Sequence, residues 1–262
     1  MIRKTTILAV AAFAWALAGT SVRADDWDVA SVDDDSSTTG NVLTHGSEQV
    51  HDLPATGSVL DEDWYVVVTQ PWSSYQMVVD GMTGDLRLTE TDVQLLDTAG
   101  VTPQEDAVRS DGGGVLSLAW ANTGSPPEIG QFVRVQGAAC GTACTTDDRY
   151  RIRFYDTSFG IARFNNSGTQ ATVVVVQNVT DVPCDLTYLF FDQPSGARIG
   201  SSQAALPPNG LSVLATSTVA PNQSGSIRIV HTCGYGGLSG KAVSVEPATG
   251  FAFDTPMVQQ PR

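Results

Sequence analysis

The chain has 262 residues, with 28 Asp or Glu against 14 Lys or Arg and a net charge of −14. A field of that sign repels nucleic acid and anionic lipid, and no basic patch offsets it, so neither is an expected partner. The same balance favours solubility and cation binding, and the 25 Gly and 13 Pro fall as turn punctuation rather than as a repeat.

Residues 1–24 read as a signal peptide. Arg3 and Lys4 form a basic start, Ile7 to Ala18 is apolar, and Val22-Arg23-Ala24 places small residues where a signal peptidase cuts, before Asp25. The apolar run is short for a membrane span and no second one follows, so membrane insertion is not expected. Loss of Arg3, Lys4 and Arg23 takes the mature chain to −17. The expected location is extracellular or periplasmic. Asp25 to Gly40 holds six Asp and one aromatic, Trp27. It buries too little to offset its ordering entropy and reads as a solvated, disordered arm.

From 41 to 158 the pattern is short strands: Glu48–Leu53, Trp64–Thr69, Tyr75–Asp80, Val93–Asp97, Val115–Ala121, Phe132–Gln136 and Arg149–Tyr155. Gly, Pro and Asp clusters separate them. The last strand has period two, with Tyr150, Ile152 and Phe154 on one face and Arg149, Arg151 and Arg153 on the other. Phe159-Gly160 marks a junction. A second set runs from 159 to 262: Ile161–Phe164, Ala171–Asn178, Leu186–Asp192, Ala197–Ser201, Leu211–Thr216, Ser226–His231 and Lys241–Val245. Val173 to Val176 is a continuous apolar run, as expected of a central strand covered on both faces. The fold class is all-β, two sandwiches of jelly-roll or immunoglobulin type in tandem, each near 100 residues.

The cysteines are Cys140, Cys144, Cys184 and Cys233. An even count in an exported chain points to disulfides, and sequence order suggests Cys140–Cys144 and Cys184–Cys233 among three connectivities. The first loop is tight and worth about 2 kcal/mol; the second, near fifty residues, is worth about 4 kcal/mol. A four-cysteine zinc site lacks the paired C-x-x-C spacing.

Asp61-Glu62-Asp63-Trp64-Tyr65 leading into a valine strand, with Tyr75 in the next, resembles the bacterial pre-peptidase C-terminal domain, a β-sandwich found beside secreted proteases. Leu95 to Gly100, Gly130 to Val135 and Arg149 to Ile152 resemble its later motifs, so the resemblance covers about 41–157. It implies a non-catalytic module serving secretion, maturation or matrix binding, and some relatives bind calcium near the acidic turn. No peptidase domain precedes it here. Gly240 to Pro256, with Asn165-Asn166-Ser167, resembles a C-terminal module of exported bacterial proteins that has no established activity.

Several chemistries compete. Asp61, Glu62 and Asp63 offer hard oxygens for calcium, the one cofactor considered, with Asp85 or Asp111 from other loops; the alternative is a solvated acidic turn. Gly234 to Ala242 fails as a phosphate loop, because Tyr235 and Ala242 stand where Gly and Ser or Thr are required. His45, His51 and His231 are the three histidines, and no G-x-S-x-G accompanies them. His231, in register with Ile227 and Ile229, reads as a strand-end histidine. Paired carboxylates for glycoside cleavage stay open, since spatial separation is invisible in sequence. Trp72, Tyr75 and Trp120 could present rings to sugars or else pack internally. The leading expectation is an exported accessory or binding protein that is not an enzyme and meets an unidentified protein or glycan at a cell surface. The alternatives are a carbohydrate-binding module and a calcium-assisted or carboxylate-based hydrolase.

Overall fold

The structure, a computed structural model, describes residues 27, 34–53, 61–110, 114–124, 129–136 and 144–259. Among them the chain forms strands joined by turns and short 3-10 segments, with no α-helix and so no helix able to cross a membrane.

The first ten strands are β1 (Val42–Leu43), β2 (Glu48–Asp52), β3 (Glu62–Thr69), β4 (Ser73–Asp80), β5 (Val93–Leu96), β6 (Pro103–Asp106), β7 (Val108–Arg109), β8 (Leu116–Asn122), β9 (Ile129–Gln136) and β10 (Arg149–Asp156). They make two five-stranded sheets, ordered β1-β3-β9-β5-β6 and β2-β10-β4-β8-β7. Because successive side chains point to opposite faces, each strand commits alternate residues to the space between the sheets. Tyr65 and Val67, Met77 and Val79, Leu116 and Leu118, Val133 and Val135, and Tyr150 and Ile152 meet there in one buried cluster. The outer face of β10 carries its arginines as expected, and Arg151 and Arg153 both reach Asp80, the former at 2.7 Å.

The remaining strands are β11 (Phe159–Asn165), β12 (Ala171–Asn178), β13 (Cys184–Asp192), β14 (Arg198–Leu206), β15 (Leu211–Ala215), β16 (Ser224–His231), β17 (Leu238–Glu246) and β18 (Phe251–Gln259). Their order is β14-β13-β16-β11-β18-β17-β12-β15. β18 pairs with β17 through Phe251–Pro256 and with β11 through Met257–Gln259, so it belongs to both halves of the sheet. The sheet folds over at that strand. Tyr188 of β13 donates to the Ser212 hydroxyl of β15 at 3.0 Å, although these strands lie at opposite ends of the order. Ile161, Tyr188, Phe190, Ile227 and Ile229 pack there against Val174, Val176 and Ala242 in a second cluster. This is the layering of an all-β sandwich.

Cys184 opens β13 and bonds Cys233 just after β16, at a sequence separation of 49. Cys144 is also disulfide-bonded, and Cys140, its expected partner, lies outside the described residues.

Three expectations change. Residues 34–41, expected at the end of a solvated arm and the start of the first strand set, dock on β3: Trp64 N–H donates to the Asp34 carbonyl at 2.7 Å and Val66 N–H to that of Asn41 at 2.8 Å. β1 continues this as a parallel pairing that covers an otherwise open sheet edge. Among the described residues β12 is covered on one face only, with Val174 and Val176 buried and Val173 and Val175 half-buried. β18 was not among the expected strands, because Asp254 and Pro256 interrupt its pattern.

Candidate functional site: a buried carboxylate and histidine centre

β2 and the segment before β1 bring His51 and Asp34 to the Asp63 end of β3. His51 Nδ1 lies 3.3 Å from Asp34 Oδ2 and 3.7 Å from Asp63 Oδ1. These three residues offer ligand atoms within 4.8 Å of one another. The imidazole lies between Trp27, stacked at 5.4 Å between ring centroids, and Tyr150, stacked at 5.7 Å, with the edge of Tyr65 alongside. Its Nε2 donates to Gln49 Oε1 at 3.0 Å. Gln49 and Asn41 exchange amide bonds, and Asn41 reaches Asp34 Oδ2 at 3.5 Å. Tyr150 donates to Asp63 Oδ2 through a short bond, and its hydroxyl meets that of Tyr65 at 2.7 Å.

Burial decides the electrostatics. Asp34, His51 and Asp63 are at most 2% exposed. Desolvation pushes the Asp63 carboxyl up to about 7 against the opposing pull of His51, and the nearby Asp34 adds to the rise. Burial and the Asp63 charge hold the Tyr150 phenol well above its ordinary value. A substrate cannot reach the centre while Trp27 and residues 34–41 stay in place. The arrangement packs Asp34, from the segment 34–41 that docks on β3, against His51 of β2 and Asp63 of β3.

The calcium set read from sequence does not assemble. Strand alternation turns Glu62 away from Asp63: Glu62 accepts from the Trp64 indole at 3.1 Å and faces Arg134 at 3.9 Å. Asp61 caps its own turn, accepting from Glu62 N–H at 3.1 Å. Asp85 sits by Asp148, and Asp111 lies outside the described residues. Asp63 alone enters the cluster, where the imidazole occupies the place between the carboxylates. Asp34 Oδ1 is buried without a hydrogen-bond partner among the described residues, so one oxygen is open. Calcium takes six to eight oxygens, and two carboxylates with an imidazole fall short of that. Millimolar calcium is therefore expected to leave the melting temperature within about 1 °C of its value in chelator. A rise of several degrees, as binding worth about 3 kcal/mol would give, would restore the cation to this site.

The tryptophans divide. Trp120 is 6% exposed and packs with Tyr75 and Phe154 in the first core, so its ring serves packing, in place of the sugar platform considered from sequence. Trp72 holds a left-handed backbone (φ 53°) and sets its ring edge-on to Phe191 at 5.0 Å, pegging the first set of strands to the outer face of the second. It also lines an open groove of about 300 Å³ with Phe191, Ser226 and Arg228.

His231 ends β16 as expected. Cys233 N–H donates to its Nδ1 at 3.1 Å, so Nε2 carries the proton and donates to the Thr157 carbonyl at 2.7 Å. Burial holds its pKa down to about 4. Thr157 also bonds Ser74 from the other side, and the connector between β10 and β11 is thus gripped by both sets of strands. No protein-family model matches the chain, and no curated protein resembles it significantly.

Proposed function

We propose that this is an exported, non-catalytic accessory or binding protein built of two β-sandwich modules, about 41–158 and 159–262, acting in secretion, adhesion or surface binding. One observation carries the reading: Asp34, His51 and Asp63 are buried together where residues 34–41 dock on β3. Groups that would serve acid–base chemistry in an enzyme here serve structure. Two separate buried clusters support the division into modules. Three of the motifs behind the pre-peptidase C-terminal resemblance meet in one sheet, with Tyr65 and Leu95 both opposite Val133, while Tyr75 and Arg149 to Ile152 lie in the facing sheet, an arrangement that supports that assignment for the first module. The disulfide suits an oxidising compartment.

The test uses the mature chain from Asp25. Incubated with peptide, ester and glycan substrates, it is expected to give no turnover while binding whole bacterial cells saturably. Turnover that Asp63→Asn abolishes would overturn the reading. Carbohydrate binding is a second reading, favoured by the groove beside Trp72. On a glycan array it requires binding that Trp72→Ala removes and Trp120→Phe keeps.

A further inference from the structure

Asp34, His51 and Asp63 bury more negative charge than the described residues balance. Both carboxylates lie out of solvent, and among those residues His51 is the one cationic side chain within ion-pair distance of either. Even a charged imidazole leaves one negative charge over, an unfavourable state in a low-dielectric interior. Hydrogen bonding fixes which ring nitrogen faces the acids. Asn41 Nδ2 points at the Asp34 carboxylate, so the Gln49 atom it meets at 3.2 Å is the amide oxygen, and His51 Nε2 meets that same oxygen at 3.0 Å. Nε2 therefore carries a proton. Nδ1 is turned to Asp34 Oδ2 and Asp63 Oδ1, at 3.3 and 3.7 Å. The other oxygen of that carboxylate, Asp34 Oδ1, is buried with no hydrogen-bond partner among the described residues.

We infer that this centre binds one zinc ion through His51 Nδ1, Asp34 and Asp63 Oδ1, as a structural site that ties residues 34–41 to β2 and β3. Charge supports it first: two carboxylates and a neutral imidazole around a dication sum to zero. Spacing supports it next. Tetrahedral zinc, with bonds of about 2.0–2.1 Å, sets its ligand atoms about 3.3 Å apart, close to the two separations at Nδ1. Asp34 Oδ1, on a carboxylate that already ligates, is left as a further donor. One imidazole with two carboxylates suits zinc, whereas calcium and magnesium call for more oxygens. Gln49 takes the other ring N–H, the outer partner that orients a metal-bound histidine. In a chain without the ion, a proton on Asp63, whose carboxyl is pushed up by burial, supplies part of the missing balance. The site is closed by Trp27 and by residues 34–41, so the ion serves the fold whatever the protein binds elsewhere.

The full mature chain, stripped with chelator and moved to metal-free buffer, is titrated with zinc chloride in a calorimeter. One ion per chain is expected, with a dissociation constant below about 1 μM. At a hundredfold excess of free zinc over that constant the melting temperature should stand about 5 °C higher. Trp64 and Val66 donate their N–H groups to the carbonyls of Asp34 and Asn41, so hydrogen exchange at these two amides should slow at least about tenfold with zinc. Asp34→Asn should weaken binding at least about a hundredfold, while Glu105→Gln, an exposed acid on β6, should bind as the parent does. Zinc that leaves the parent's melting temperature and both exchange rates unchanged would overturn the inference, with no variant needed. So would an Asp34→Asn chain, folded by circular dichroism, that binds like the parent, because the ion would then sit elsewhere.

Discussion

The Cys184→Ser, Cys233→Ser double variant is expected to unfold about 4 kcal/mol more easily than the parent. Closing a loop of this separation removes about 4 kcal/mol of chain entropy from the unfolded state in the loop-closure account. Native packing adds to the loss. Both cysteines are no more than 6% exposed within the second cluster, and two serine hydroxyls there would lack the sulfurs' apolar contacts. Strand register keeps the effect local: Leu186 already pairs with His231, so the bond clamps the end of an existing ladder between β13 and β16. Urea titration followed by tryptophan fluorescence and far-ultraviolet dichroism is the measurement. The melting temperature should fall by roughly 10 °C for a chain of this size. A loss below about 1 kcal/mol would mean that the reduced, unfolded chain keeps β13 and β16 together without the bond.

Strand placement was legible because strand chemistry is local. β-branched runs, period-two alternation and Gly or Pro turns located most of the strands to within a few residues, and β12 was read at Ala171–Asn178 as it stands. The candidate site was not legible, because its members are brought together by non-local pairing. An arm with six aspartates in sixteen residues reads as solvated on average composition, yet Asp34 is fully buried beside one imidazole and one parallel strand pairing two residues long. The Asp61-Glu62-Asp63 run drew attention as a ligand set, while strand alternation alone requires Glu62 and Asp63 to face opposite ways. Trp72, singled out from sequence as a ring for sugars or for packing, has a seat that was hidden for a different reason: nothing in Pro71-Trp72-Ser73 announces a bulky aromatic with positive φ, a conformation that persists where surrounding contacts hold it. The valines of β12 were read as doubly covered because an apolar run does not say what lies on its second face.

Between pH 7 and 4 the stability of the parent is expected to vary little through two buried groups whose effects oppose each other. Asp63 has a folded pKa of about 7 against an ordinary 3.8. The unfolded chain therefore releases this proton first, so the group costs stability above pH 7, on the order of 4 kcal/mol, and the cost is relieved as pH falls toward 3.8. His231 runs the other way. Its folded pKa is about 4 against an ordinary 6.5. Its contribution is complete above pH 6.5 and is lost as pH falls through 4, because the unfolded state takes up the proton first, a change on the order of 3 kcal/mol. Single variants separate the two. Asp63→Asn lacks the relief, so relative to the parent it should lose on the order of 4 kcal/mol between pH 7 and 4. His231→Gln keeps a side-chain donor toward Thr157 and lacks the loss, so it should gain on the order of 3 kcal/mol over the same interval. Urea denaturation of all three chains at pH 8, 6 and 4 measures these differences, and groups common to them cancel, including Asp97 and Asp148, whose backbone hydrogen bonds hold them below the usual carboxylate range. Divergence in opposite directions is the expected result. Parallel profiles would mean that both groups titrate near their ordinary values in the native state, and that neither the dock at β3 nor the grip on Thr157 is as closed as the packing around them implies.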